Sequence, residues 1–510
     1  MTTKKNLNFC NPSSVLLLIS TLLSTLFLKS CWVDSKFFGT SASVNAVEVS
    51  GKLALNSGTS YYVSPNGSDN NPGTKDKPWK TISYAVSEKS PVKPGYTVLV
   101  QPGTYTELIT LDKSGNSESG NITLKANGKV ILRDPDSING GFGEGVIQSN
   151  GKGYWVIDGF RIEKTSWAGI SLRNANNITV KNNYTYETGA SGIIILPGNY
   201  YGGGDLEVSS KDIKVLNNTV ERANWRWQGN SSTVGTQEAL SIWGVNGFEV
   251  GNNTLKESNR EGIDIKVGSR NGSVHNNKVS GAAKISGTPK GYKGGAAIYI
   301  DGNRADIFNI DIYNNTVFGN TADAIVIADE VPNQGDVSNI RVYNNVIHGN
   351  GRMGVNGGHG ILIGRNVRNL EIVNNTIAKN VQAISIDGAY YTGGYKPHDI
   401  LVRNNVFADS TYRNGYIQDV KSLRWDHNLF TNKFANLYEG GSRIENSTVW
   451  NNTKVQSIGF VNLNTNDFRL ASGSLAIDIG SSELGVYAQF DKNGVQRNKG
   501  TGIDIGAYEY

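Results

Sequence analysis

The sequence predicts an all-β fold, a right-handed single-stranded parallel β-helix, on three observations. Asn-Asn pairs recur through the middle of the chain, and a second set of short strands alternates with them. Glycine is in excess, at 61 of 510 residues, while apolar residues make up 38% and charged residues 18%. Many short apolar runs separated by turn residues describe a chain of strands, and repetition at a fixed period describes a solenoid.

The Asn-Asn pairs stand at Asn182-Asn183, Asn217-Asn218, Asn252-Asn253, Asn276-Asn277 and Asn314-Asn315, then at Asn344-Asn345, Asn374-Asn375 and Asn404-Asn405, with a degenerate copy at His427-Asn428. From Asn315 through Asn345 and Asn375 to Asn405 each step is 30 residues, and the earlier steps vary as loops inserted into a fixed rung require. Asn tolerates the left-handed backbone of a tight bend, and its amide can bond the Asn of the next rung. The pairs therefore predict an internal amide ladder.

The second strand set begins at Gly169-Ile170-Ser171-Leu172-Arg173 and Gly192-Ile193-Ile194-Ile195-Leu196. It runs on through Ala239–Trp243, Gly262–Lys266, Ala297–Asp301, Ala324–Ala328, Gly360–Gly364 and Ala383–Asp387. Positions two and four are aliphatic throughout, so they face the core and positions three and five point outward.

The ends differ from the middle. Residues 1–46 read as an export segment: Lys4 and Lys5 precede an apolar stretch from Val15 to Leu28 that is short for a membrane span. Val44-Asn45-Ala46 offers a cleavage site, and a lipid anchor at Cys31 is the alternative. The only cysteines, Cys10 and Cys31, fall in this segment, which leaves the rest of the chain without disulfides or thiolate metal sites. Residues 47–135 are expected to form an N-terminal cap, with a short helix near Ala85, and the first rungs, residues 136–430 the β-helix core, and residues 431–510 the C-terminal rungs and a tail. The formal charge is +5 and the basic residues are scattered, so nucleic acid is not an expected partner. The expected product is an extracytoplasmic, secreted or envelope-bound monomer.

Outward positions are bland except over three rungs. The first carries Glu238, Ser241 and Trp243, the second Glu261, Asp264 and Lys266, and the third Tyr299 and Asp301, with Asp323 and Asp329 bordering the next. Carboxylates this dense repel unless protonated, paired or metal-bound, and oxygen donors at this density favour Ca²⁺. A lysine among them is held charged by the acids, whereas a bound cation would lower its pKa toward that of a base. Asp264, Asp301 and Asp323 would equally serve a metal-free glycoside hydrolase.

The stretches Tyr61–Gly67, Pro78–Ile82 and Val98–Tyr105, with the tail Asp504-Ile505-Gly506-Ala507-Tyr508-Glu509-Tyr510, resemble extracellular right-handed β-helix proteins of the pectate-lyase-like kind. That group includes lyases, epimerases, hydrolases and proteins without catalytic activity, such as glycan-binding surface proteins. Within it, Glu261-Gly262-Ile263-Asp264 resembles the Asp-Asp-Gly-Ile-Asp rung of family-nine polysaccharide lyases. The resemblance implies Ca²⁺ held by Glu238, Glu261, Asp264 and Asp301, and an acidic polysaccharide cut by β-elimination. Tyr299 stands where that family has its lysine base, while Lys266 follows Asp264 by two residues, as a lysine does in chondroitinase-B-like lyases; the base is Lys266 or Tyr299. Trp243, Arg260, Arg304 and Asp323 are the expected substrate contacts, with Trp225 and Trp227 as further stacking candidates. Lys396-Pro397-His398-Asp399 faintly resembles the Asp-Pro-His-Asp motif of C5-epimerases that act on mannuronan.

Overall fold

The computed structural model describes residues 58–510 except 137–144, 227–237, 287–294, 331–334, 353–356, 389–393, 433 and 436–443. The export segment and both cysteines lie outside the described residues, as does Trp227.

Each rung makes three strands, one in each of three parallel sheets. Sheet 1 holds the strands that run into Asn-Asn, such as Val245–Gly251 and Val337–Tyr343. Sheet 2 holds the second strand set, from Ala168–Arg173 through Ile263–Lys266 to Gln382–Asp387. Sheet 3 is made of short strands after the Asn pair, such as Thr254–Lys256 and Thr316–Phe318. The described residues place 15, 12 and 13 strands in sheets 1, 2 and 3. Stacking already begins before residue 136, with Thr97–Val100 paired to Ile122–Ala126 and Gly103–Thr106 to Val130–Arg133.

Register explains the core. Ile242, Ile265, Ile300 and Ile327 are cross-strand neighbours in turn, and all are fully buried in one continuous aliphatic core. The helix Ile82–Val86, capped by Thr81, buries Ile82, Ala85 and Val86 in the N-terminal end of that core. At the other end the tail folds back along the rungs rather than adding to them. Arg497 donates to Asn344 Oδ1 at 2.8 Å, Asn374 to the Asp504 carbonyl at 3.0 Å, and Ser481 N–H to Asn404 Oδ1 at 2.8 Å.

The two members of each Asn pair divide the labour. The first takes the left-handed bend, with φ of 54–57° from Asn182 through Asn404, a conformation that costs most other residues about 1–2 kcal/mol. The second points inward. Its Nδ2 donates to Oδ1 of the next Asn at 3.0–3.1 Å from Asn183 to Asn452, and each Oδ1 also accepts the backbone N–H of the preceding ladder Asn. A second ladder, Asn320–Asn350–Asn380, runs at another bend.

This division predicts opposite tolerances at adjacent positions. Asn253→Ala strands the Asn218 backbone N–H and one hydrogen of its Nδ2, which keeps only the Val180 carbonyl, and should destabilise by about 1–3 kcal/mol for each donor left buried without a partner. Asn252→Gly should be nearly neutral in a urea titration, and Asn252→Val should cost about 1–2 kcal/mol.

Candidate functional site

Three consecutive strands of sheet 2, Leu240–Trp243, Ile263–Lys266 and Ala296–Asp301, carry the acid cluster. Their register pairs Ser241 with Asp264 and Asp264 with Tyr299, and it pairs Trp243 with Lys266 and Lys266 with Asp301. The alternation of strand residues thus turns these side chains away from the core, as expected. They are nevertheless buried: Ser241, Asp264, Lys266 and Asp301 are all under 7% exposed. Part of the cover is the segment 197–209, in which Tyr200 meets the Trp243 ring edge-on at 4.9 Å and the Asp205 carbonyl accepts the Trp243 indole N–H at 2.7 Å.

Lys266 is the centre of the cluster. Its Nζ lies 2.8 Å from Glu238 Oε1, 2.9 Å from Asp264 Oδ2 and 4.9 Å from the centre of the Trp243 ring. Arg260 joins from the rim, with Nε 3.0 Å from Glu261 Oε2 and Nη2 3.5 Å from Glu238 Oε1. Burial alone favours a neutral Lys266, but Asp264, Glu238 and Asp301 outweigh it and hold the ammonium above the ordinary lysine range. Burial also pushes Glu238 up, yet Lys266 and Arg260 bring it below the ordinary glutamate value. Two cations thus answer the two glutamates. Asp264 and Asp301 are in excess, and burial first, then their acidic neighbours, raise both well above the ordinary aspartate value.

Four buried oxygens in this cluster have no hydrogen-bond partner among the described residues: Glu238 Oε2, Ser241 Oγ, Asp264 Oδ1 and Asp301 Oδ1. Hard oxygens are the chemistry Ca²⁺ selects. The arrangement does not fit it, however. The Lys266 ammonium occupies the place between Glu238 and Asp264, and Arg260 neutralises Glu261. Among the described residues no three His, Cys, Asp or Glu side chains converge as metal ligands. The chain supplies its own cation where the resemblance implied calcium.

The other expected residues separate. Tyr299 lies on the rung after Asp264, half-buried against Ala296, Val326, Ala328 and Leu362. Trp243 is packed rather than open to a sugar, because Tyr200, Asp205 and Lys266 take its ring and N–H. Arg304 is turned to the cover, paired with Asp205 at 2.8 Å. Trp225 is exposed. His398 and Asp399 belong to sheet 1, away from the acid-bearing face, so the epimerase-like motif is no part of this site.

Asp323 has partners that the sequence reading passed over. His359 lies one rung on, with Nδ1 2.8 Å from Asp323 Oδ1, and its backbone N–H donates to the same oxygen at 2.9 Å. Gln382 Nε2 meets His359 Nε2 at 2.9 Å, and Arg413 Nε donates to Gln382 Oε1 at 2.5 Å. These residues occupy one column, directly before the aligned Gly or Ala of each rung for His359 and Gln382, so the rung alignment contained the signal.

With this geometry established, comparison with known proteins places the chain. Residues 61–220 match the family described as Pel9A-like, right handed beta helix region, and residues 144–331 match the general right handed beta helix region. The chain is a right-handed parallel β-helix, with a Pel9A-like match over its earlier rungs. This β-helix protein is 30% identical over 292 residues to the uncharacterized protein YwoF of Bacillus subtilis, covering 52% of this chain and 57% of that one. It is 28% identical over 180 residues to pectate lyase L of Dickeya chrysanthemi, covering 32% and 40% respectively. The matched part of the chain therefore spans 57% of the first relative's length and 40% of the second's. The crystal structure of pectate lyase Pel9A superposes with a TM-score of 0.47 at 17% identity, covering 89% of this chain and 97% of that one. The Pel9A-like match ends at residue 220, before the acid-bearing rungs.

The raised aspartates carry a sign that can be measured. A carboxyl whose folded pKa exceeds its unfolded value binds its proton more tightly when folded, so it lowers stability as pH rises from the ordinary aspartate value to the folded one. Asp301→Asn should leave stability unchanged near pH 4 and raise it at pH 8 by about 1–2 kcal/mol, read as a pH-dependent difference in unfolding midpoint.

Proposed function

We propose that this protein acts outside the cytoplasm on an acidic, uronate-containing polysaccharide and cleaves it by β-elimination on the outer face of sheet 2. The observation that carries this reading is the buried Lys266 ammonium among acids that retain unpartnered oxygens. Lys266 attracts the uronate carboxylate, and Asp264 and Asp301, whose carboxyls are raised above the ordinary aspartate value, take up protons and donate hydrogen bonds to it as it enters. A carboxylate neutralised in this way stabilises the charge that develops when the adjacent C5 proton leaves. Tyr299, acting as its phenolate, takes that proton, the electron pair forms the C4–C5 double bond, the C4–O bond breaks, and the phenolic proton just gained passes to the leaving oxygen. Lys266, held charged by its neighbours, is the electrostatic group rather than the base. Arg260, at 19% side-chain exposure the most open cation of the cluster, meets the anionic chain first. The pectate lyase matches support the substrate class, and the apolar N-terminus supports export. A hydrolase is the second reading, favoured by the two aspartates whose carboxyls are raised above the ordinary value.

The test is incubation of the full chain with a panel of uronate polymers, following the ultraviolet absorbance of unsaturated uronide. Absorbance should rise, and Tyr299→Phe should slow it by about a hundredfold or more. Reducing ends without unsaturation would replace the lyase by the hydrolase, and no cleavage of any polymer would sink both. Since Lys266 fills the cation position, chelator should leave the rate unchanged and added Ca²⁺ should leave the unfolding midpoint unmoved. A loss of activity on chelation would restore calcium to the site.

A further inference from the structure

The outer face of sheet 2 carries a second cation far from the first. From Asp264 the register runs through Tyr299, Val326, Leu362 and Ser385 to Tyr416, all in one column. At the usual strand spacing Tyr416 stands roughly 24 Å along the axis from Asp264. Val326, Leu362 and Ser385 put no charge in that column between the two ends. Arg413 opens the strand that carries Tyr416, and Tyr412 comes directly before it.

Arg413 is held in place but not neutralised. Its guanidinium carbon lies 5.0 Å from the centre of the Tyr412 ring and 4.3 Å from that of Tyr416. Nε donates to Gln382 Oε1 at 2.5 Å, and Gln382 Nε2 meets His359 behind it. Among the described residues no carboxylate stands within ion-pair distance of Arg413, whereas Lys266, Arg260 and Arg304 are each paired with an acid. Asp387, one rung before Gln418, accepts the Gln418 amide at 2.7 Å, and Gln418 Oε1 accepts the Tyr416 hydroxyl. The place is open: Tyr412 is 61% exposed, and Arg413 and Tyr416 are partly so. With Nε committed to Gln382, the terminal nitrogens keep the fork of donors that fits a carboxylate. The rings beside it offer a flat apolar surface to the C–H face of a sugar.

We infer that Tyr412, Arg413 and Tyr416 form a remote subsite, which holds one uronate of a glycan chain while another uronate of the same chain lies at Lys266. Arg413 binds the carboxylate, the exposed Tyr412 ring takes the sugar, and Gln382 is the positioning residue that aims the guanidinium. The inference rests on the proposed action on an acidic glycan and adds a length requirement to it. A short oligomer occupies one site at a time, whereas a chain that reaches both binds the second intramolecularly and gains affinity without any new chemistry at the first. A uniform polyuronate meets this spacing in any register, because every unit carries a carboxylate.

The experiment is calorimetric binding of the full chain to a trimer and a decamer of galacturonate and to the same two lengths of mannuronate. For the sugar that binds, Arg413→Gln should weaken the decamer by about tenfold, the order expected of hydrogen bonds to a charged group, and leave the trimer within about twofold. Tyr412→Ala, which removes a largely exposed ring and so leaves the unfolding midpoint in place, should weaken the decamer by about threefold or more. A decamer affinity unchanged in either variant, or equal losses for trimer and decamer, would overturn the inference and leave the proposed function standing. So would decamers that fail to bind while a longer polymer is still cleaved. A length-dependent loss in a protein that releases no unsaturated product would keep the subsite and remove the lyase, and neither binding nor cleavage would remove both.

Discussion

Everything in this molecule depends on the parallel register that stacks each residue on its equivalent one rung away. The register has no long-range geometry to enforce it except the repeated hydrogen bonds of the strands and the inward Asn ladder. A slip by one residue would turn the whole aliphatic set of a strand outward. The ladder opposes that slip, because each Oδ1 accepts both the backbone N–H and the Nδ2 of one neighbour, as Asn345 does from Asn315. Both bonds are buried, and losing either leaves a polar group stranded.

The same register that makes a good core makes a costly site. Stacking puts like residues at the spacing of neighbouring strands, which suits Ile265 on Ile300 but not Asp264 beside Glu238 or Asp301 near Asp264. Opposite charges compensate only in part: Lys266 spans Glu238 and Asp264, Arg260 spans Glu238 and Glu261, and Asp264 and Asp301 are left with raised pKa values. Elsewhere on the solenoid the problem is solved more cheaply. Arg341 is paired with Asp311 one rung away, and Lys256 with Glu221, both partly exposed pairs that need little desolvation. The acid cluster gathers four buried oxygens that have no partner among the described residues, and such concentration is what binding and catalytic sites require.

The fold was legible because a solenoid writes its period into the chain. Asn-Asn marks the bend, and the five-residue strands mark sheet 2, so core and outward residues separate by position alone. The cluster of Glu238, Glu261, Asp264, Lys266, Tyr299 and Asp301 came from that alignment too. What the alignment could not carry is whatever the loops do. Tyr200 and Asp205 lie in an insertion between two strands, and nothing in their local sequence says that they close over Trp243 and Arg304. Nor does spacing say where a long side chain ends. Lys266 was a candidate base, and its ammonium proved to be the counter-ion of two acids, which also changes the case for calcium. The line through His359 is written in the same alignment, at the position directly before the Gly or Ala that opens each five-residue unit, but a single His or Gln there carries no repeat of its own to mark it.

Two ways of handling buried polar groups therefore occur on one face. In the Lys266 cluster, Lys266 and Arg260 answer the glutamates, and burial with acidic neighbours raises Asp264 and Asp301, so the local state responds to whatever anion or proton arrives. At Asp323 the carboxyl is held instead by a backbone N–H and the ring of His359, with Gln382 and Arg413 stacked behind that ring rung by rung. The first arrangement keeps cations beside buried oxygens that lack partners among the described residues and can therefore take up an anion. The second spends its donors on one oxygen and orients a side chain, which is what a rigid stack of rungs does best.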